Sequence, residues 1–178
     1  MCSKALPTSP PLRTDFTTRP VAPDDLPDIK ALHALAFGPG RFTRTAYRIR
    51  EGTGDISPFC LAAILEQRIA AALRLTQITI GGTPNALMLG PLVVAPDLAG
   101  QGIGRELVRQ GLANAKARGI RLVLLVGDAP YYARFGFAQV PPNQIQMPGP
   151  VDPARLLAVE LEAGVLAGYR GMVTAVRG

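Results

Sequence analysis

The chain has no tryptophan, two cysteines and a single histidine among 178 residues. Cys2 and Cys60 are far apart and His33 stands alone, so neither a disulfide framework nor a Cys/His zinc cluster is indicated; the metal expectation is none. Aromatic residues make up only 6%, which leaves no stacking platform for unpaired bases, and nucleic-acid binding is therefore the weaker use of the +6 net charge. No apolar run is long enough to span a membrane, and the N-terminus lacks the apolar core of a signal peptide. These absences point to a cytoplasmic protein without a membrane partner.

The 48% apolar share is that of a globular chain with a real core. Residues 1–14 are rich in Pro, Ser and Thr without periodicity and are expected to form a disordered tail; residues 15–178 are expected to form one domain. Asp15–Arg19 reads as a first strand. Pro23-Asp-Asp-Leu-Pro opens a helix with Leu26, Ile29, Leu32, Leu35 and Ala36 at helical spacing, stopped by Gly38-Pro39-Gly40. A second helix at about 43–51 carries or adjoins Arg41, Arg44, Arg48 and Arg50. Strands at 58–65, 68–80 and 86–94 follow in meander order, with turns at Glu66-Gln67 and Gly81–Asn85.

The most informative stretch comes next: a strand ending Leu92-Val-Val-Ala-Pro, the glycines Gly100, Gly102 and Gly104, and an amphipathic helix at 102–118. Without Cβ atoms the glycine turn lets the backbone approach a bulky ligand, and the helix start offers unpaired N–H groups and a positive dipole end. Together they suit a phosphate or pyrophosphate. A dinucleotide-binding turn competes, but four residues separate strand from glycines and its third glycine would fall on Arg105. The apolar run 120–126 reads as a strand covered on both faces, parallel to its predecessor. A short helix at 129–134 precedes a strand beginning at Phe135-Gly-Phe137, and 155–162 is the clearest late strand. The expected fold is thus α/β, with a mixed central sheet flanked by helices and a parallel βαβ crossover at the glycine turn.

Residues 92–107, Leu-Val-Val-Ala-Pro-Asp-Leu-Ala-Gly-Gln-Gly-Ile-Gly-Arg-Glu-Leu, resemble the acyl-CoA motif of the GNAT superfamily of N-acyltransferases. Gly127-Asp-Ala-Pro-Tyr-Tyr-Ala-Arg-Phe-Gly-Phe137 is similar to the superfamily's Tyr-x-x-x-Gly-Phe segment, nearest to the bacterial YhbS-like branch. Ala99 stands where that pattern has Arg or Gln, and the Asn common before the short helix is missing. The resemblance implies acetyl-CoA (acyl-CoA) as co-substrate, with its pyrophosphate on the amides of Ala99, Gly100, Gln101, Gly102, Ile103, Gly104 and Arg105. The pantetheine arm would pair with Leu92, Val93 and Val94, below a bulge near Pro91 or Leu92. The N–H of Val93 or Val94 would polarise the thioester, and a small-molecule or protein/peptide amine would attack directly in a ternary complex.

On the same resemblance Tyr132 is the catalytic residue, protonating or steadying the departing thiolate. Tyr131 falls in an apolar slot and reads as core. His33 lies in an apolar helical run and reads as packed, and Cys60 reads as a buried small hydrophobe. Glu51, Asp55 and Glu66 are the acids before the central strand, none in a motif that marks a general base. The arginine group 41–50 reads first as a solvated face and second as an acceptor-side feature. A homodimer is a further expectation from the resemblance. A CoA-binding sensor without turnover and a nucleic-acid-associated protein are the alternatives.

Overall fold

The longest strand, β3 (Arg68–Ile80), organises the molecule. It pairs antiparallel with β2 (Leu61–Leu65) on one side and with β4 (Thr83–Val94) on the other, while β1 (Thr17–Pro20) adds outside β2. The computed structural model describes residues 15–39 and 45–177; the expected tail at 1–14, Arg41 and Arg44 lie outside the described residues. Glu66 and Gln67 both take positive φ (48° and 65°), as a two-residue hairpin turn between twisted strands requires. The second turn is shorter than the sequence suggests. Only Gly81 and Gly82 reverse the chain, because Thr83 already pairs with Ile80 and β4 starts there.

After β4 the chain crosses over through α3 (Ile103–Ala117) to β5 (Leu122–Val126), which lies parallel to β4. Ile103, Leu107, Val108 and Ala115 are buried on one face of α3. Gly111 on that face lets the helix settle closely, since a Cβ there would meet Leu73 Cδ2 at 2.9 Å. All four residues from Leu122 to Leu125 are buried: Val123 and Leu125 pack on the α3 side, Leu122 and Leu124 on the other. Beyond β5 come β8 (Leu156–Glu160) and then β6 (Ala138–Gln139), both antiparallel to their neighbours. The segment at Phe135–Phe137 is therefore not the start of a strand; a 3-10 turn ends at Phe135, and Gly136 bends the chain into β6. Two short strands, β7 (Ile145–Gln146) and β9 (Gly171–Ala175), pair with each other, and β9 also pairs with the far end of β3.

Helix α1 (Leu26–Phe37) and the short α2 (Thr45–Ile49) lie towards the other face. The apolar spacing of α1 predicts a buried stripe, yet Ile29 alone is buried and Leu35 is 71% exposed. Leu26, Ile29, Lys30, His33 and Phe37 look onto an open cleft and Ile29 meets the sheet at Ala72 and Val93, whereas Leu35 lies off that face, towards solvent.

The entry to α1 is fixed by charge. The buried Asp25 carboxylate accepts two bonds from Arg19 (2.6 and 2.8 Å) and one from the Ala22 amide (2.8 Å), tying β1 to the helix start. The Arg19 guanidinium holds the Asp25 carboxyl below the usual carboxylate range, against the opposing effect of burial. A depressed folded-state value means that this stability is present above the unfolded carboxylate's range and is lost as pH falls through the folded one. Asp25→Ala is expected to cost about 2 kcal/mol at neutral pH, the scale of hydrogen bonds to a charged group. In urea unfolding the gap between variant and wild type should narrow as pH is lowered; a gap that stays constant contradicts this account.

Candidate active site

The β4–β5 pairing runs only from Ala86/Leu122 to Met88/Leu124 and then stops. Two residues later β4 bulges: Gly90 and Pro91 together stand opposite the single residue Arg74 of β3. Proline has no N–H to give a ladder, so pairing breaks here for a chemical reason. The Gly90 carbonyl accepts a bond from Arg50 Nη1 at 2.8 Å. The bulge falls at the position the sequence predicts.

Below the bulge β4 still pairs with β3, and the alternation of an antiparallel ladder decides which amides are available. Ala95 N–H donates to Ala70 O, so Val93, two residues back, also directs its N–H and C=O to β3. Leu92 and Val94 direct theirs to the open side. Between Val93 and Val94, the expected polarising donors, the geometry therefore favours Val94; Leu92, which the sequence reading passed over for this role, is the one that lines the cleft.

Gly100 and Gly102 both adopt left-handed backbone (φ 77° and 84°), and Gly102 is the residue from which α3 starts. No side chain caps that start, so the amides of Ile103, Gly104 and Arg105 lack the usual intrahelical or side-chain acceptors. Ala99, Gly100 and Arg105 are exposed, whereas the Ile103 side chain is 1% exposed and belongs to the core, leaving only its amide for a ligand. Gly104 packs onto β4, where a Cβ would meet Val94 Cγ2 at 3.1 Å. Gln101 turns its Oε1 into the protein, buried without a hydrogen-bond partner. Glu106, the acid in this first turn, is held by Arg109 and Gln110, whose hydrogen bonds bring its carboxyl down to about 2. What the loop presents to a ligand is main-chain N–H.

The cleft itself, about 910 Å³, lies where the strands part and is walled by α1, α2, β3, the β4 bulge and the residues after β5. Tyr132 enters it from α4 (Ala129–Tyr132). Its ring stands edge-on to Phe137, with centroids 5.7 Å apart, and its hydroxyl makes no hydrogen bond among the described residues. Burial, helped by the neighbouring Tyr131 and Asp128, pushes the Tyr132 phenol up to about 12. Gly127 makes room for the ring, since a Cβ there would lie 2.7 Å from Tyr132 Cε2. Tyr131 is not the core residue that the sequence suggests. It is half-buried with the Arg134 guanidinium 4.7 Å over its ring, while Tyr132 packs against the main core.

The remaining lining departs from the sequence reading in three places. His33 is not simply packed: it faces the cleft from α1, with its ring 5.9 Å from Phe37. Of the three acids only Asp55 reaches the cleft, and it is held by Lys30 (3.0 Å), with Arg74 at 3.8 Å; Glu51 and Glu66 are exposed elsewhere. Arg50 belongs to no solvated face, being 9% exposed, while Arg48 is exposed. Arg74 escaped notice altogether, although one charge inside Ala70-Ala-Ala-Leu-Arg-Leu75 was a signal. Cys60 fits its reading, buried at 2% with its thiol against Ser57. Among the described residues no His, Cys, Asp or Glu group could hold a metal, and no helix is long and apolar enough to cross a membrane.

A family model described as an acetyltransferase (GNAT) domain matches residues 17–140. The chain is 29% identical over 125 residues to the uncharacterized N-acetyltransferase YjhQ of Escherichia coli K12, covering 68% of this chain and 69% of YjhQ. The crystal structure of the E. coli GNAT family N-acetyltransferase YhbS in complex with CoA superposes with a TM-score of 0.77 at 26% identity, covering 95% of this chain and 93% of YhbS. A GNAT family acetyltransferase from Brucella melitensis, in complex with acetyl-CoA, gives a TM-score of 0.60 at 28% identity over 81% of this chain and 95% of that one.

Gly127 is a test of the site that touches no reacting group. Gly127→Ala should displace the Tyr132 ring and lower kcat by roughly tenfold or more, since misplacement on the ångström scale is that costly. The Kd for CoA, measured by calorimetry, should change little. Unchanged kcat in a folded variant would show that the ring's position is immaterial.

Proposed function

The chain belongs to the GNAT acetyltransferase family and is an acyltransferase, and we propose that it moves an acetyl group from acetyl-CoA to an amine by direct attack in a ternary complex. We take residues 15–178 as the domain that does so. The observation that carries the reading is the coincidence of three features: a parted edge on β4, an uncapped glycine-lined helix start after it, and the half-buried Tyr132 in the cleft at the parting. The relatives bound to CoA and acetyl-CoA support the choice of ligand.

In this reading the diphosphate rests on the amides of residues 99–105, where the missing side chain at Ala99 removes one contact but no main-chain donor. The amide groups of the pantetheine arm pair with the open edge of β4. The Leu92 N–H, on that edge and in the cleft, donates to the thioester oxygen as negative charge develops there. The amine, once it has lost its ammonium proton to solvent, forms a C–N bond to the carbonyl carbon. The C–S bond breaks with its electron pair on sulphur, and the amine's second proton is released as the amide forms.

Tyr132 acts on that sulphur as a hydrogen-bond donor. A phenol at about 12 is a much weaker acid than an ordinary thiol near 8.5, so it steadies the thiolate without surrendering its proton. A raised value also keeps the phenol protonated throughout the working pH range. Activity should therefore climb with pH as the acceptor ammonium deprotonates and should not decline before about pH 10.

Thiol release from acetyl-CoA across an amine panel tests the activity. Tyr132→Phe should lower kcat about a hundredfold, the scale of one catalytic donor, with the calorimetric Kd for CoA nearly unchanged. Tight CoA binding with no thiol release for any amine would return the chain to a sensor role. A fully active Tyr132→Phe would remove the tyrosine from the mechanism.

A further inference from the structure

The direction of the open β4 edge is not fixed by the bulge alone. Pro91 has no N–H, so the Gly90–Pro91 peptide offers its surroundings a carbonyl and no donor. Gly90, at φ 119°, lacks the Cβ that would limit how that carbonyl is directed. The strand leaving the bulge carries Leu92, whose N–H has to be aimed and not merely free. Arg50 supplies the restraint. It comes in from the end of α2, is 9% exposed, and donates from Nη1 to the Gly90 carbonyl at 2.8 Å. The Tyr47 ring lies 5.6 Å from its guanidinium carbon.

Arg50 is held at its main chain as well. Its carbonyl accepts bonds from the Thr53 amide (3.0 Å) and the Thr53 hydroxyl (2.7 Å). The same hydroxyl accepts from Arg74 Nη2 (3.1 Å), which also donates to the Gly54 carbonyl (2.9 Å). Arg74 stands on β3 opposite Gly90 and Pro91, so these links close into a ring. The ring runs from β3 through residues 53–54 and Arg50 to the bulge, and returns through the β3–β4 ladder. Asp55 ties it to α1, pairing with Lys30 at 3.0 Å and with Arg74 at 3.8 Å. Burial first, and the Arg74 charge second, bring Arg50 down to about 10. It still carries its proton at neutral pH, and its bond to Gly90 is charge-assisted.

We propose that Arg50 is a positioning residue for acyl transfer: by holding the Gly90 carbonyl it aims the Leu92 N–H at the thioester oxygen. The inference rests on the acyltransferase reading above. Leu92 lies two residues, about 7 Å, beyond the held carbonyl, and an N–H donor weakens steeply as its bond departs from linear. The diphosphate site begins beyond Val94, four residues and about 13 Å down the strand from Gly90, where the start of α3 sets it instead. Loss of Arg50 is therefore felt in the chemical step and hardly in the affinity for CoA. A planar fork of N–H groups holds a carbonyl in one direction, which the mobile ammonium of a lysine does less well.

The test measures thiol release by Arg50→Met and Arg50→Lys under saturating acetyl-CoA, with the best acceptor of an amine panel. Arg50→Met should lower kcat at least about tenfold, since misaiming a donor on the ångström scale is that costly. The KM for the amine and the calorimetric Kd for CoA should move less than about threefold, the mark of an interaction felt in the transition state. Arg50→Lys should recover part of kcat. A second readout, which needs no acceptor, is the ¹³C resonance of the acetyl carbonyl in bound, carbonyl-labelled acetyl-CoA. In wild type it should lie downfield of the free thioester, polarised by the Leu92 N–H, and Arg50→Met should return it towards the free position. A role confined to stability would leave that resonance alone. If Arg50→Met does not fold, Thr53→Val takes its place. It removes the hydroxyl that links Arg74 to Arg50 and should shift kcat and the resonance in the same directions, by less. Wild-type kcat, an unmoved carbonyl resonance, or a loss expressed mainly in the Kd for CoA overturns the positioning role alone. Wild-type protein that binds no acetyl-CoA sinks the acyltransferase reading and this inference with it.

Discussion

Main-chain amides at a strand edge must find partners, and β4 loses its partner on the β5 side after Met88. Leaving buried N–H and C=O groups unanswered is costly, so an opened interior edge is stable only if something else fills it. The protein meets part of the demand itself, through the bond from Arg50 to the Gly90 carbonyl. Leu92 and Val94 turn their amide groups to that open side, and at Leu92 the edge faces the cleft. In the proposed function a ligand with amides of its own completes this sheet. The β3 pairing on the other side keeps the strand from collapsing into the gap.

Charge is met by different means at two places, the start of α3 and the bulge, of which the bulge lines the cleft. At the start of α3 the donors are neutral main-chain amides on left-handed glycines, with the one acid of the first turn neutralised by Arg109. Such a site suits the proposed diphosphate without fixing any long side chain. At the bulge the donors are guanidinium groups, partly desolvated and therefore effective over a short range. The first arrangement suits the proposed diphosphate, a group shared by every CoA thioester. Tyr132 lines the same cleft as the bulge, and burial keeps its phenol protonated.

How much of this the sequence disclosed depends on whether the signal was local. Strand, glycine turn and helix at 86–118 occupy consecutive residues, so their geometry followed from spacing, proline and glycine alone. Tyr132 stood five residues before Phe137 and was legible through its resemblance to a known segment. The mixed sheet with its parallel crossover followed from the almost wholly apolar run at 120–126. The far wall of the cleft was not legible, because it is assembled from α1, α2, β3 and the segment at 150–155, which meet only in three dimensions. Helical spacing in α1 pointed to a buried face; the cleft beneath it put His33 on its wall, and Leu35 lies off that face in water. Likewise the choice between Val93 and its neighbours depends on ladder phase, set by the Ala95–Ala70 bond and invisible along the chain.

The central claim is that outward-facing main-chain amides of β4 and of the glycine turn are what coenzyme A binds. The most direct test is an amide-resolved NMR titration of ¹⁵N-labelled protein with CoA. Leu92, Val94 and residues 100–105 should show the largest shifts, and Val93, whose N–H is tied to β3, should show much less. Saturable binding with shifts centred on other strands, or with Val93 moving as much as its neighbours, would contradict the account.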